Sequence, residues 1–395
     1  MADNTDQLLD NILIARSNGS ENLEVVGAYI KKVLSECGAE VGTHAFTATP
    51  HGFQLVWSAA VLLMTIYVFS IYKKKYGLAL LMCLITPVLL LAEFEFLLSP
   101  VSGLWPKEQF NIIGTYPGSP QGDTLIFAAH YDTTTHFGDH FSWGFWGKMQ
   151  GPAMGLAFLL IIVGFLYRKK GNVFSRRIAV PAALLAALPF AAMFWFQTIG
   201  PLVRTPSIGA VDNGGSVVAL LHLAEKLENR PEDATTTVKL VFFSAEEERT
   251  LGSWAYAEDL VKNEKNINKV RVINLEAIGA SDILAYSPED GFATRRYRSS
   301  DAIINFVNNA ANAHIGMPLE AISLPFGTLT DGRSFLARDI EAITLRSFTG
   351  NAFPRRLHSK HDSRDRLMNR GIKEGTEFLW ALVQQNESRW SNRSQ

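Results

Sequence analysis

The chain has 395 residues, a net charge of −1 and two cysteines, Cys37 and Cys83. That balance carries no polyanion-binding signature, so no nucleic acid is expected as a partner, and two cysteines cannot build a disulfide framework. With 47% hydrophobic and 19% charged residues it is too charged for an all-membrane protein, so its apolar residues must be concentrated in particular segments.

Residues 1–20 are polar and acidic and lack the apolar core of a cleavable signal peptide. ENLEVVGAYIKKVLSE follows with apolar residues at helical spacing, then the strand-like EVGTHAFTA. Residues 53–72 hold no charge and are long enough to cross a bilayer as a helix. Residues 77–98 repeat that pattern, with Glu93 and Glu95 near the far end, where they are expected at the interface rather than on a proton path. A second apolar pair covers 151–167 and 178–200.

Both turns between paired segments are short and basic. One holds Lys73 to Lys75; the other holds Arg168, Lys169, Lys170, Arg176 and Arg177. The excess of positive charge places both turns in the cytoplasm. The expected layout is a multi-pass protein integral to the lipid bilayer, with transmembrane hairpins at 53–98 and 151–200. They interrupt one extracytoplasmic domain made of 1–52, 99–150 and 201–395. Trp57, Trp105, Trp143, Trp146 and Trp195 fall near span ends, as interfacial anchors would.

The remaining segments alternate. QFNIIGTYPG and DTLIFAAHYD read as strands around a Pro-Gly-Ser-Pro turn, and SVVALLHLAEKLE reads as an amphipathic helix. TTVKLVFFSA, KVRVINLEA and IEAITLRS are apolar strands; SWAYAEDLVKN, SSDAIINFVNNAANAH and KEGTEFLWALVQQ are helices. The predicted fold is α/β, a mostly parallel mixed sheet flanked by helices, with the four transmembrane helices as insertions.

Groups able to bind a metal fall at the strand ends of such a sheet, where active groups gather. His130 closes LIFAAHYD, and Asp132, two residues on, shares its face on an extended chain. Asp132 is expected to accept the ring N–H of His130 and fix its tautomer. Asp212 sits in the glycine-rich turn GAVDNGGS, where an acid is also ordinary helix-start chemistry. VFFSAEEERTLGS is the strongest local motif. Adjacent carboxylates Glu246 and Glu247 leave the strand in different directions, so one can bind metal while the other faces a bound water. Glu248 reads as a helix N-terminal acid. Glu276 ends VINLEA in an apolar run, where a carboxylate needs a partner or a metal. His358 lies in the loop LHSKHDSRDRL, with His361 and Asp362 close by. His136, Asp139 and His140 read as interfacial loop, and His222 and His314 as structural or exposed.

In these motifs the chain resembles the co-catalytic zinc exopeptidases, which include leucyl-type aminopeptidases, glutamate carboxypeptidase II and glutaminyl cyclase. The likeness covers roughly residues 22–50, 108–135 and 205–385. NLEAIGA and TDGRSFLARD are similar to the membrane-embedded members, the endoplasmic reticulum metallopeptidase and the fungal vacuolar membrane protease. The resemblance implies a peptide substrate, an aminopeptidase activity and two zinc ions per chain. One ion would be held by His130, Asp212 and Glu276, the other by Asp212, Glu247 and His358, with Asp212 bridging. Glu246 would be the general base and Asp132 its catalytic companion beside His130. HSKHD matches the family's closing His-x-x-x-Asp, which singles out His358 over His361. One departure stands out. Leu357 occupies the place where many active members carry an oxyanion-steadying Tyr, and Arg355, Arg356 or another donor would have to compensate.

Three rival readings follow from the same residues: an inactive peptidase-like receptor, a single-zinc glutaminyl cyclase-like acyltransferase, and a transporter. The intact ligand set and Glu246 argue against the first, and spans without central polar residues argue against the last. Asn18, Asn386 and Asn392 head Asn-x-Ser triplets, relevant only in a eukaryotic secretory compartment. The sequence does not fix the substrate side chain, the membrane or the oligomeric state.

Overall fold

The computed structural model describes residues 4–138, 140–170, 174–350 and 354–393. The chain divides into two units. The first comprises Met1–Pro50, Lys107–Thr134 and Pro206–Gln395; the second comprises His51–Pro106 and Thr135–Thr205.

The first unit is built on β1 (Glu40–Ala48), β2 (Lys107–Tyr116), β3 (Thr124–His130), β4 (Thr237–Phe243), β5 (Val270–Glu276), β6 (Leu284–Ser287), β7 (Glu289–Asp290), β8 (Tyr297–Arg298), β9 (Glu320–Ala321) and β10 (Glu341–Ser347). Eight strands form one sheet in the order β1-β2-β4-β3-β5-β10-β6-β9, and β7 pairs with β8 in a separate ribbon. The four central strands β4, β3, β5 and β10 run parallel, while β1, β2 and β6 join by antiparallel pairings. The sheet is therefore mixed and mostly parallel, as its alternating strands and helices predict.

The central strands are apolar on both sides because both sides are covered. Leu125, Phe127 and Ala129 of β3 enter the larger core with residues of the helices Glu21–Glu36, Gly215–Leu227, Asp301–His314 and Asn369–Arg393. The intervening Ile126 and Ala128 enter a second core with Tyr256, Ala257 and Phe335, from the helices Leu251–Asn263 and Gly332–Leu336. The two-residue period of a strand thus feeds two cores from one chain segment. Ser20 and Ser300 accept from the third amide beyond them and cap two of these helices.

Register delivers the site. Phe243, the last residue of β4, lies opposite His130, the last of β3. Ala128 lies opposite Asn274 of β5, which brings Glu276 level with His130.

Among the described residues, the second unit holds four helices long and apolar enough to cross a membrane: Gly52–Tyr72, Tyr76–Glu95, Ser142–Lys169 and Arg176–Leu202. The third helix starts at His140, well before residue 151, because HFSWGFWGKMQ continues the helix ahead of the purely apolar stretch. The first and fourth helices are antiparallel. Trp57 donates its indole N–H to Gln197 Oε1 at 2.7 Å near one end, and the Arg176 guanidinium lies 4.7 Å from the Tyr72 ring at the other. Tyr76 packs on Phe165 at the same end, so both basic turns emerge together.

Several polar expectations change here. Glu93 is fully buried, and its carboxylate accepts the N–H groups of Val101 (2.7 Å) and Ser102 (3.0 Å) and the Ser102 hydroxyl (2.5 Å). It closes the turn that follows the second apolar helix. Trp57 and Trp143 are buried as well, in an aromatic cluster with Phe53, Phe94 and His136, because their N–H groups find partners inside the unit. His136 is thus a buried loop residue. Asp139 and the side chain of His140 lie outside the described residues. Asn18 and Asn386 are buried, Asn386 donating to Thr236, so neither is presented for glycosylation; the Asn392 side chain lies outside the described residues.

Candidate metal centre

The expected donors converge. His130 Nε2 is 3.1 Å from Asp212 Oδ1 and 3.9 Å from both Glu276 Oε1 and Glu246 Oε2. His358 Nε2 is 2.7 Å from Asp212 Oδ2 and 3.2 Å from Glu247 Oε2. His130, Asp212 and Glu276 form one group whose donor atoms lie within 4.8 Å of one another; Asp212, Glu247 and His358 form a second, and His130, Glu246 and Glu247 a third. Asp212 serves two groups with different oxygens. Ligand bonds of about 2.0–2.2 Å around a tetrahedral ion set donors roughly 3.4 Å apart, so both groups that contain Asp212 have the chemistry and spacing for zinc.

The charge balance agrees with that fit. Asp212, Glu246 and Glu276 are buried and Glu247 is partly buried, with His130 and His358 the imidazoles among them. Glu247 Oε1 is buried without a hydrogen-bond partner. Clustered buried carboxylates are costly unless cations meet them.

Local structure holds each donor in place. The glycine-rich turn before Gly215–Leu227 enters through Gly209 at φ 57°, and the peptide between Asp212 and Asn213 is cis. Asp362 accepts the N–H of Val211 at 2.7 Å and of Asp212 at 3.1 Å. Asn213 donates to Leu275 O (2.8 Å) and accepts from Ala277 N–H (3.0 Å), tying this turn to the end of β5 beside Glu276. Arg16, fully buried, donates to the carbonyls of Ile12, Tyr131, Ile208 and Gly209. It joins the segment after His130 to the segment before Asp212. Burial pushes its guanidinium down to about 10 while Asp132, Asp362, Asp212 and Glu247 pull it up. Left-handed φ values at Ala245, Ala277 and His358 re-aim the chain at three of these loops, a conformation costing an L-residue about 1–2 kcal/mol.

Asp132 differs from its expected role. Its carboxylate accepts the N–H groups of Glu246 and Glu247, both at 3.2 Å. Nδ1 of His130 sits closer to the Asp132 carbonyl oxygen (3.2 Å) than to its carboxylate (3.5 Å). The strand turns after His130, so the side chain reaches across to the β4 turn and positions the glutamates as much as the histidine. Leu357 is buried in the main core, while Arg355 and Arg356 are exposed. His361 is exposed, and His358 is the histidine inside the cluster.

Electrostatics separate the carboxylates. Burial pushes Glu246 well above the usual range; Asp331, Glu276 and Asp212 add to this and His130 opposes it. Glu247 is likewise held high by burial, then by Asp212 and Glu246. Burial also acts on Asp212, but His358 and His130 outweigh it and hold that carboxylate well below its usual value. Burial disfavours charging His130, yet Glu246, Asp132, Asp212 and Glu276 together hold its imidazole well above the ordinary range. Asp212 is thus held anionic, while Glu246 close by holds a proton more readily than an ordinary carboxylate.

Two buried residues escaped sequence reasoning as site components. Asp331 precedes the short helix Gly332–Leu336; burial pushes it up to about 7, against His130, with Asp132 and Glu276 pushing further. The only signal was its place in TDGRSFLARD. Arg346 of β10 lies in register with Glu276 of β5. Burial pushes it down to about 10 and Glu276 opposes that. An arginine inside an apolar strand was the available signal.

Residues 195–383 match peptidase family M28 and carry the domain of a zinc metallopeptidase. Among solved structures, the Legionella pneumophila LapA aminopeptidase is similar with a TM-score of 0.54 and 12% identity, covering 98% of this chain and 70% of that one. The Porphyromonas gingivalis glutaminyl cyclase is similar with a TM-score of 0.55 and 14% identity over 96% of this chain and 95% of that one. A Zn-dependent exopeptidase from Parabacteroides distasonis has a TM-score of 0.55 and 14% identity, covering 97% of each chain. At these identities the likeness establishes the zinc exopeptidase fold. Comparison with curated proteins finds no match.

Proposed function

We propose that this chain is a membrane-embedded zinc aminopeptidase, of the subgroup resembling the endoplasmic reticulum metallopeptidase and the fungal vacuolar membrane protease. The observation that carries the reading is Asp212, whose two oxygens face His130 on one side and His358 on the other. His130, Asp212 and Glu276 would hold one zinc ion, and Asp212, Glu247 and His358 a second. When bound, such a pair supplies Lewis-acid polarisation of a peptide carbonyl and a more acidic water.

The chain's own residues do the rest. Glu246 takes a proton from the attacking water as oxygen bonds to the carbonyl carbon, then delivers it to the departing amine nitrogen as the C–N bond breaks. A general base in that place must hold the proton between the two events. Asp132 and Asp362 fix the backbones of Glu246, Glu247 and Asp212.

A glutaminyl cyclase-like reaction is the rival that the structural neighbours keep in view. The presence of two complete donor groups that share Asp212 favours two ions and hydrolysis. The deciding assay is Glu246→Gln in the full-length protein. Hydrolysis of free-amine peptides should fall by 10²–10⁴-fold while zinc content stays at the wild-type level. Equal cleavage of amine-blocked peptides by the wild type would exclude an aminopeptidase.

Four apolar helices support residence in a bilayer, with the basic turns at Lys73–Lys75 and Arg168–Arg177 cytoplasmic and the peptidase domain on the opposite side. Resistance to carbonate extraction, together with reporter fusions in those turns, checks this arrangement.

A further inference from the structure

Between the first and fourth apolar helices runs a groove of about 570 Å³, lined by residues from Val61 to Tyr72 on one wall and from Val180 to Ala191 on the other. Thr65 and the Tyr72 hydroxyl are the polar side chains among its lining residues. The groove lies open to the outside of the unit, with Phe69 54% and Leu184 55% exposed. From Val61 to Tyr72 the helix rises roughly 17 Å, close to half of a hydrocarbon core about 30 Å thick. The groove is therefore about one leaflet deep.

Its end at Tyr72 is marked by charge. The Arg176 guanidinium lies 4.7 Å from the Tyr72 ring centroid, and Lys73 Nζ lies 5.3 Å from the same ring and 5.5 Å from that of Phe69. Arg176 stands one helical turn before Val180, the first residue of the far wall. Two exposed cations thus flank the mouth of a slot whose depth suits an acyl chain, at the end where positive charge favours anionic lipid.

We propose that this groove is a binding site for an anionic phospholipid, with an acyl chain between the two helices and the phosphate held by Lys73 and Arg176. The proposal rests on the bilayer reading above and is tested separately from it. The full-length protein is delipidated in detergent, offered phosphatidylglycerol or phosphatidylcholine of identical chains, and its retained lipid counted by native mass spectrometry. Wild type should retain phosphatidylglycerol preferentially, and Lys73→Ala and Arg176→Ala should each lower that preference about fivefold. Ala187→Trp, which fills the groove and leaves both cations, should lose retention of either lipid.

Equal retention of the two lipids by the wild type would overturn the site, as would an unchanged preference in the Lys73→Ala/Arg176→Ala double variant. Quantitative disulfide cross-linking of Leu184→Cys between two copies in lipid would assign the groove to a second chain instead. Carbonate-resistant incorporation and peptide hydrolysis, measured on every variant, report on folding. A wild-type chain released by carbonate would defeat the bilayer reading itself, whereas a membrane-resident chain without lipid preference defeats this proposal alone.

Discussion

Asp362 holds Asp212 through the backbone: its carboxylate accepts the Asp212 N–H at 3.1 Å while the neighbouring Val211 N–H reaches its other oxygen at 2.7 Å. The residue four places after His358 thus fixes the residue between the two donor groups, so the closing motif HSKHD supplies a donor and the support for another. Asp362→Ala removes both acceptors and leaves His358 in place. Zinc affinity should fall 10–100-fold, the usual consequence of losing a supporting partner, with kcat following once the metal is lost. Metal titration with a fluorescent chelator checks this; unchanged affinity would show that the turn needs no such support.

Arg16 should matter for stability more than its position near the N-terminus suggests. Arg16→Met leaves the buried carbonyls of Tyr131 and Ile208 without their Arg16 donor, while Gly209 O keeps the Gly214 N–H, at a cost of about 1–3 kcal/mol for each group not rescued by water. Arg16→Lys cannot reach the same set with one ammonium and should rescue only partly. Thermal melting in detergent, with and without added zinc, gives both values.

Asp290 predicts a pH dependence. It is fully buried at the end of the β7 strand and accepts from the Thr330 hydroxyl and from the N–H groups of Thr330 and Gly291. Burial pushes it up to about 6, the Thr330 bonds opposing. A carboxyl raised on folding contributes stability that is fully present below its unfolded value near 3.8 and is lost as pH rises through about 6. The stability difference between wild type and Asp290→Asn should therefore shift against the wild type by up to about 3 kcal/mol between pH 4 and pH 7. A difference flat across that range would contradict the assignment.

In the helical unit, a side chain at Gly164 would place its Cβ 2.2 Å from the Tyr76 ring. Gly164→Val should destabilise the packing of the third helix by about 1–3 kcal/mol, and Tyr76→Ala should relieve part of it. Glu93→Gln keeps an acceptor for the Val101–Ser102 turn and should leave peptide hydrolysis untouched. A shifted pH profile in that variant would revive a proton-path role.

Much of this was legible beforehand because it rests on local pattern. The strands ending at His130 and Glu276 are apolar runs that stop where a polar donor begins, and the four long helices are set by composition alone. The register that levels Ala128 with Asn274 was not legible, nor was the choice of Asp132 to reach the Glu246–Glu247 amides, because both depend on which strands become neighbours. Asp331 and Arg346 were missed for the same reason. A lone buried charge announces itself in sequence only when its partner is nearby in the chain, and theirs lie on other strands. Trp57 and Trp143 were misplaced because an N–H partner inside the unit outweighs the interface for a large indole.

The most direct test of the account is anomalous diffraction at the zinc edge from crystals of the full-length protein. It predicts two peaks roughly 3.5–4 Å apart, one beside His130 and Glu276, the other beside Glu247 and His358, with Asp212 between them. A single peak, or zinc found away from Asp212, would contradict it.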